Sequence, residues 1–462
     1  MLARMNVVTP RTLRKDAGRI VRRFADHPYR TLGLLFGLSV ALYLAAIPLP
    51  RLDGMLIGSD GVGYYVYVRS LIMDGDLDFS DEYSALIPGS DLANRRTPTG
   101  RVANQYAVGP ALLWSPFFAA GHLVALAACA AGLPVQADGY NSVYQAAVCL
   151  GSMVYGFLGM LLVFRIARQL RPRTALAACL LTWLATSFIY YHLAEPSMSH
   201  MCSFFSVALL LYLWFRARPI AHWRPCLLIG LAGGLAGAVR QPDATFLLLP
   251  AVDLLLSSGR LLRKTALLAV LGAGFILVFG IQMAVWFKLN GSPFLSGYFT
   301  DGTQCFSWLS PHLYGVLFST NHGLFFWHPV LIFAALGSVW LWRTDRRLTT
   351  LLVIGLLIQV YLIACWTYWH QSDAFGGRML IGSLPALALG LAAFLHWASE
   401  KRASPACWIG GVCLIAWNAL FFLQYRLFFI SMHGPYTLRE LTIGKLDMIL
   451  TLARNWMPRL WE

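Results

Sequence analysis

Apolar runs of roughly 15 to 24 residues recur along the whole chain, and the longer ones suffice to cross a bilayer core. In hydrocarbon each backbone N–H and C=O must be satisfied within its own segment, so such runs read as helices. Only 12% of the 462 residues are charged, about half the share of an ordinary soluble domain. The expected fold is an all-α polytopic membrane protein of about eleven transmembrane helices plus outer-face juxtamembrane helices. Spans are expected near 31–49, 142–164, 175–191, 199–215, 225–239, 244–257, 266–287, 324–342, 349–367, 379–397 and 406–424. The first, Thr31 to Pro48, follows eight Arg and Lys residues and has no small-residue cleavage site, so it reads as a retained anchor. The chain divides into a basic cytoplasmic N-terminus (1–30), a bundle (31–424) with a long first outer loop (51–108), and an amphipathic outer-face tail (425–462).

The net charge of +15 is unevenly spread. With the N-terminus inside, inner segments hold 23 of the 36 Lys and Arg but five of the 21 acids: Asp16, Asp26, Asp253, Asp345 and Glu400. That asymmetry is the positive-inside pattern of a polytopic protein. Arg11, Arg14, Lys15, Arg19, Arg22 and Arg23 accordingly face anionic headgroups, and nucleic acid is not expected as a partner. Eight of the nine cysteines fall in apolar segments and Cys305 in an outer loop, so no disulfide framework is expected.

The same charge count decides how to read the apolar stretch that opens at Gly109. If it crossed the membrane, Arg165, Arg168, Arg171 and Arg173 would land outside. Residues 109–132, carrying Pro110 and Pro116, therefore read as a helix embedded in or lying on the outer face, with a spanning hairpin as the alternative. No internal repeat at a fixed period is visible, which argues against many secondary transporters.

Four outward regions collect the unusual polar residues. In the first loop, Tyr64, Val68, Leu71 and Ile72 recur at helical spacing, so 62–73 reads as a short amphipathic helix. Asp60 sits at its N-terminal edge, where a carboxylate can serve as a helix cap or as a catalytic base. The acids of the run Asp74 to Glu82 read as a solvated turn, with Asp74, Asp76 and Asp78 as weak ligands for a divalent cation, the one cofactor entertained. In the second region, Glu195 lies between His192 and His200, a pattern suited to proton transfer, metal binding or capping. The third is the break at Arg240 to Asp243, where a costly Arg must meet an anion, either Asp243 or a phosphate. In the fourth, Phe375-Gly376-Gly377-Arg378 opens a helix, an anion-competent turn or a glycine turn with a snorkelling Arg. The aromatics around Trp369 fit an interfacial belt and equally suit stacking on sugar rings.

The order of these features resembles the GT-C class of membrane glycosyltransferases, of the protein O-mannosyltransferase and aminoarabinose-transferase type. Asp60, Tyr64, Arg69 and Gly75-Asp76 stand in the order of that class's first-loop pattern, and Gly109-Pro110 and Phe164 to Arg168 follow in their places. The likeness covers roughly residues 1–260 and, more loosely, the 375–378 turn. Two departures stand out: the second acid of the family pair is Gly61, and no Lys precedes Gly109. A donor-phosphate contact must then come from elsewhere, with Arg101, Arg240 and Arg378 as candidates.

The resemblance implies a polyprenyl-phosphate-linked sugar donor, a lipid, glycan or protein acceptor, and a GT-C-like fold. Asp60 is the expected base, with Tyr64, Arg69, Glu195, His192, His200 and Trp369 as expected substrate contacts. The expected location is the plasma (bacterial inner) membrane, with the site on the periplasmic or outer face. The rival class is a transporter or flippase for an anionic lipid-linked sugar, against which the large one-sided loop argues.

Overall fold

The computed structural model describes residues 26–48 and 55–456. The basic residues Arg11 to Arg23, Arg51 and the last six positions lie outside them. Among the described residues, eight helices are long and apolar enough to cross a membrane, and three shorter apolar helices (Ala175–Leu184, Trp223–Val239 and Val330–Trp342) accompany them. Among the described residues the only extended pairings are isolated bridges, Arg96 with Val102 and Phe306 with Trp366. The expected all-α polytopic class is what the chain forms.

Burial sorts the helices. The window of Arg378–Glu400 is 78% buried and so stands at the centre, whereas Pro28–Ala46 and Ser404–Arg426 are 17% buried and form the periphery. Both classes are apolar on all sides, as helices are whose outer faces meet lipid and not water. Side-chain caps start some of them: the Asn141 side chain accepts from Val143 N (3.0 Å), and Asp345 Oδ1 accepts from Leu348 N (2.9 Å).

Two helices give the bundle its axis. His200–Ala217 and Arg346–Cys365 are 18 and 20 residues long, hence ~27 and ~30 Å at 1.5 Å per residue. Both run between the same two features. Near their ends at Ala217 and Arg346 lies an ion network: Asp253, 5% exposed, accepts from Trp214 Nε1 (2.8 Å) and Arg218 Nε (3.2 Å) and pairs with Arg347. Arg218 also reaches Asp345 Oδ2 at 2.6 Å. At the opposite ends, His200, Ile363 and Trp366 line a cavity shared with Asp60, Arg240 and Arg378.

Several expected spans are subdivided. Residues 244–257 resolve into a 3-10 segment Gln241–Leu247 and a short helix Leu248–Leu255, consistent with the break expected at Arg240. The 175–191 stretch splits at Ala185, and the 324–342 stretch at His328 and Pro329. Gly109–Ala130 is one continuous helix in spite of its prolines. Pro110 occupies the first turn, where no N–H is needed, and Pro116 is carried inside the helix.

That helix runs antiparallel to the first half of Ser142–Leu170. Tyr155 OH donates to Leu113 O (2.9 Å), Trp114 Nε1 to Ser152 Oγ (2.8 Å), and His122 pairs with Tyr144 OH (2.6 Å). The second half of Ser142–Leu170 is covered by Pro28–Ala46, with Phe36 stacked on Phe157 at 4.5 Å and Tyr29 edge-on to Phe164 at 5.2 Å. Gly109–Ala130 thus flanks the cavity half of its neighbour, starting where Val108 N donates to Gln282 Oε1 (2.8 Å).

The first-loop helix begins two residues earlier than its periodicity predicts, at Asp60, and ends at Arg69, followed by a wide turn Ser70–Asp74. It is not amphipathic: every residue from Gly61 to Ser70 is buried. Its second face packs under Tyr106 and against Phe118, so the loop folds into a compact cap and not a surface-lying helix. In the tail, Gly444–Trp456 packs Met448 inward, while Leu446, Ile449 and Leu450 stay exposed.

Candidate active site

Asp60 opens its helix without capping it. Ser59, the residue before it, has φ +52° and makes no side-chain cap bond, a left-handed conformation that costs a non-glycine residue ~1–3 kcal/mol. The turn aims the Asp60 carboxylate into the cavity. Oδ1 accepts from Tyr106 OH at 2.8 Å, and Oδ2 lies 3.3 Å from Arg378 Nη1. Burial, reinforced by the Asp60 charge, pushes the Tyr106 phenol well above its ordinary value, so it stays a donor.

Arg378 is held by the turn expected from its two glycines. Gly376 has φ +61°, and a Cβ there would run into the His328 ring, so no other residue fits. Phe375 N donates to Tyr191 OH (2.9 Å) and its ring stacks on Tyr190 at 4.5 Å. Gln371 braces the turn from behind: its carbonyl accepts from Arg378 Nη2 (3.3 Å), and its Oε1 from Met379 N (2.9 Å). Arg378 as a residue is 6% exposed. Its Nε has no hydrogen-bond partner, and Nη1 has only the ion-pair contact with Asp60.

Arg240, 9% exposed, follows the C-terminus of Trp223–Val239. It donates to Met379 O (3.0 Å) and contacts Met379 Sδ (2.8 Å), which ties it to the residue after Arg378. Asp243 makes no direct ion pair with Arg240 among the described residues: its Oδ2 accepts from Ser203 Oγ at 2.6 Å, and its charge acts on Arg240 only across a gap. Two buried guanidiniums and one carboxylate, Asp60, thus line the cavity itself. A buried charge left partly uncompensated is costly, and an arriving anion relieves that cost.

The cavity has a volume of about 380 Å³ and a mixed lining. Asp60, Tyr64, His200, Arg240 and Arg378 are among its polar members; Phe294, Phe299, Phe306, Leu362, Ile363 and Trp366 are among its apolar ones. Tyr64 OH accepts from Ser199 Oγ (3.1 Å). Phe294, at 82% exposed, marks the mouth. A ligand with an anionic head and an apolar chain fits this mixed lining.

The remaining sequence-expected residues lie elsewhere. Glu195 lines a neighbouring cavity. Arg69 is paired with Glu82 (3.1 Å) and Asp74 and lies 4.4 Å over the Tyr140 ring, outside the lining of the large cavity. Arg101 is exposed in the turn closed by the Arg96–Val102 bridge. His192 is wholly buried, stacked on Phe188 at 5.4 Å, and Trp369 stacks on His312 at 4.9 Å. Asp76 and Asp78 accept from nearby N–H and hydroxyl groups of their own loop. Among the described residues no group of three or more His, Cys, Asp or Glu side chains converges as metal ligands would. Tyr106, Gln371 and Met379 are the site residues that sequence reasoning missed; none stands in a local pattern that points to its role.

Residues 141–286 match the model of the family described as dolichyl-phosphate-mannose-protein mannosyltransferase. The match takes in Glu195, His200 and Arg240; Asp60 and Arg378 lie to either side of it. With the all-helical bundle, it fits a membrane glycosyltransferase of the GT-C class. No curated protein matches the chain.

Proposed function

We propose that this protein transfers a sugar from a polyprenyl-phosphate donor to an extracytoplasmic acceptor, with Asp60 as base and inversion at the anomeric carbon. The observation that carries the reading is the pair of buried arginines sharing one cavity with Asp60 and a set of apolar side chains. The donor phosphate sits between Arg378 and Arg240, and the prenyl chain runs past Phe299, Phe306 and Trp366 toward the mouth. Asp60 takes the proton of the acceptor hydroxyl as its oxygen bonds to the sugar C1. The C1–O bond to phosphate breaks, and its electron pair stays on the lipid phosphate. The developing charge there calls for fixed cations, which the arginines supply. Tyr106 orients the carboxylate through its hydrogen bond.

The ion network at the other end favours a transferase over a transporter. Alternating access would have to open that end, where Asp253, Asp345, Arg218 and Arg347 are knitted together. The positive-inside asymmetry supports a cytoplasmic network end and a cavity at the outer face. A bacterial inner membrane is the setting we propose.

The test is transfer by purified Asp60→Asn in lipid nanodiscs, with a polyprenyl-phosphate sugar and membrane extract as acceptor source. Loss of transfer with retained binding of the lipid phosphate supports the assignment. Transfer near the wild-type rate removes Asp60 from the chemistry.

A further inference from the structure

The turn carrying Asp60 separates two cavities. The second, of about 260 Å³, is lined on its polar side by Ser59, Tyr191, Glu195, Ser197, Asp373 and Arg426. Three stretches of chain present neighbouring residues to opposite sides of the same wall. Gly58 and Ser59 face the second cavity and Asp60 the first; Ser197 faces the second, and Met198, Ser199 and His200 the first. Asp373 and Arg378 divide in the same way across the 375–378 turn. The wall is thin where the first two stretches meet, because a Cβ on Gly61 would come within 2.6 Å of Ser197 Oγ. The left-handed Ser59 is what turns residues 59 and 60 to different sides.

The two cavities differ in charge. The first sets two guanidiniums against one carboxylate, as an anion requires. The second sets two carboxylates, Glu195 and Asp373, against the single Arg426. Glu195 Oε1 accepts from Tyr190 OH at 2.8 Å, and Asp373 pairs with His433 at 2.6 Å. Carboxylates that accept hydrogen bonds, a guanidinium that donates them, and the rings of Tyr191 and Tyr425 together suit a ring bearing several hydroxyls. A phosphorylated ligand would find the one lining guanidinium, Arg426, already opposed by two carboxyl groups.

We infer that the second cavity binds the acceptor as an uncharged, polyhydroxylated saccharide and delivers one of its hydroxyls past Ser59 to Asp60. This rests on the transferase reading above. Glu195, Asp373 and Arg426 are specificity-determining residues in this scheme: they select a neutral sugar acceptor over a phosphorylated one and take no part in the proton transfer.

The test uses the full chain in nanodiscs, with undecaprenyl phosphate, methyl mannoside, mannose 6-phosphate and a threonine-containing hexapeptide as probes. Saturation-transfer NMR reads the soluble probes and native mass spectrometry reads the lipid. Methyl mannoside should bind better than its phosphate or the peptide. Asp373→Ala, and Ala194→Trp, which fills the cavity from a lining position, should each weaken it about tenfold or more. Undecaprenyl phosphate affinity and melting temperature should stay near wild type, which shows that the variants are folded. The inference is overturned if the phosphate or the peptide binds best, if no glycoside binds, or if the variants leave glycoside binding unchanged. Failure of the wild type to bind undecaprenyl phosphate would instead strike the transferase reading, so the two failures are told apart.

Discussion

The buried charges at the two ends of the His200–Ala217 helix obey opposite rules. Beyond Ala217, two carboxylates meet two guanidiniums, and Asp253 is further satisfied by Trp214. Around His200, Arg378 pairs with Asp60 and keeps an N–H without a partner, and Arg240 has no direct ion pair among the described residues. Taking a charge out of water costs several kcal/mol unless opposite charge and hydrogen bonds replace the lost hydration. The network end comes nearer to that condition within the protein, although Arg347 Nε there has only its ion-pair contact. The cavity end falls further short of it, and on the proposed reading the donor phosphate supplies the missing charge.

Breaking this contrast is a matter of moving one residue at a time. The largest effect is expected from Asp60→Asn, which should lower kcat by ~10²–10⁴ while disturbing thermal stability less than any change in the network. A loss of melting temperature matching that of a network variant, with transfer spared, would make Asp60 a structural residue. Next comes Asp253→Ala. It removes the carboxylate that Arg218 and Arg347 share, leaving Arg347 without an ion pair and Arg218 with Asp345 alone, and breaking such a buried pair costs ~3–5 kcal/mol. The fraction that remains folded should turn over at the wild-type rate, so unfolding and kinetics measured on one sample separate the two ends. Arg378→Gln should follow, raising the donor KM roughly 10- to 150-fold as a charged hydrogen bond worth ~1.5–3 kcal/mol is lost. A change confined to acceptor kinetics would move the phosphate to Arg240 alone.

How much of this could be read before folding depends on the range of the interaction. Hydropathy is local, so the helix positions and the break near Arg240 were visible, as was the glycine turn before Arg378. The pairing of charges is not local. Arg69, a substrate contact by family likeness, is 13 residues from Glu82, and the fold spends its charge there. Asp243 looked like the natural partner of Arg240 from three residues away, yet Ser203 holds it. Tyr106 reaches Asp60 across 46 residues and Gln371 supports Arg378 through backbone groups, contacts that no periodicity encodes. The cap-or-base ambiguity at Asp60 had the same origin: the backbone would accept a cap, and only tertiary neighbours decide otherwise.

The smallest and most conditional effect concerns Glu82, which lies between the two extremes. Its carboxyl is wholly buried; Arg69 donates to Oε1 at 3.1 Å, while Oε2 has no partner. Arg69 is itself drawn toward Asp74, the Asp138 carbonyl (3.3 Å) and the Tyr140 ring. Burial therefore outweighs the ion pair and pushes the Glu82 carboxyl up from 4.5 to about 7. A group whose pKa is higher folded than unfolded holds extra protons in the folded state between those values. Its contribution is full below the unfolded pKa and is lost as pH rises through the folded one. Amide exchange across residues 60–86, corrected for its intrinsic pH dependence, should thus accelerate as pH climbs from 4.5 past about 7. In Glu82→Gln, which keeps the shape and removes the proton, that slope should vanish. A slope that survives the substitution would return Glu82 to the fully compensated class represented by Asp253, and the loop cap would then owe its stability to packing alone.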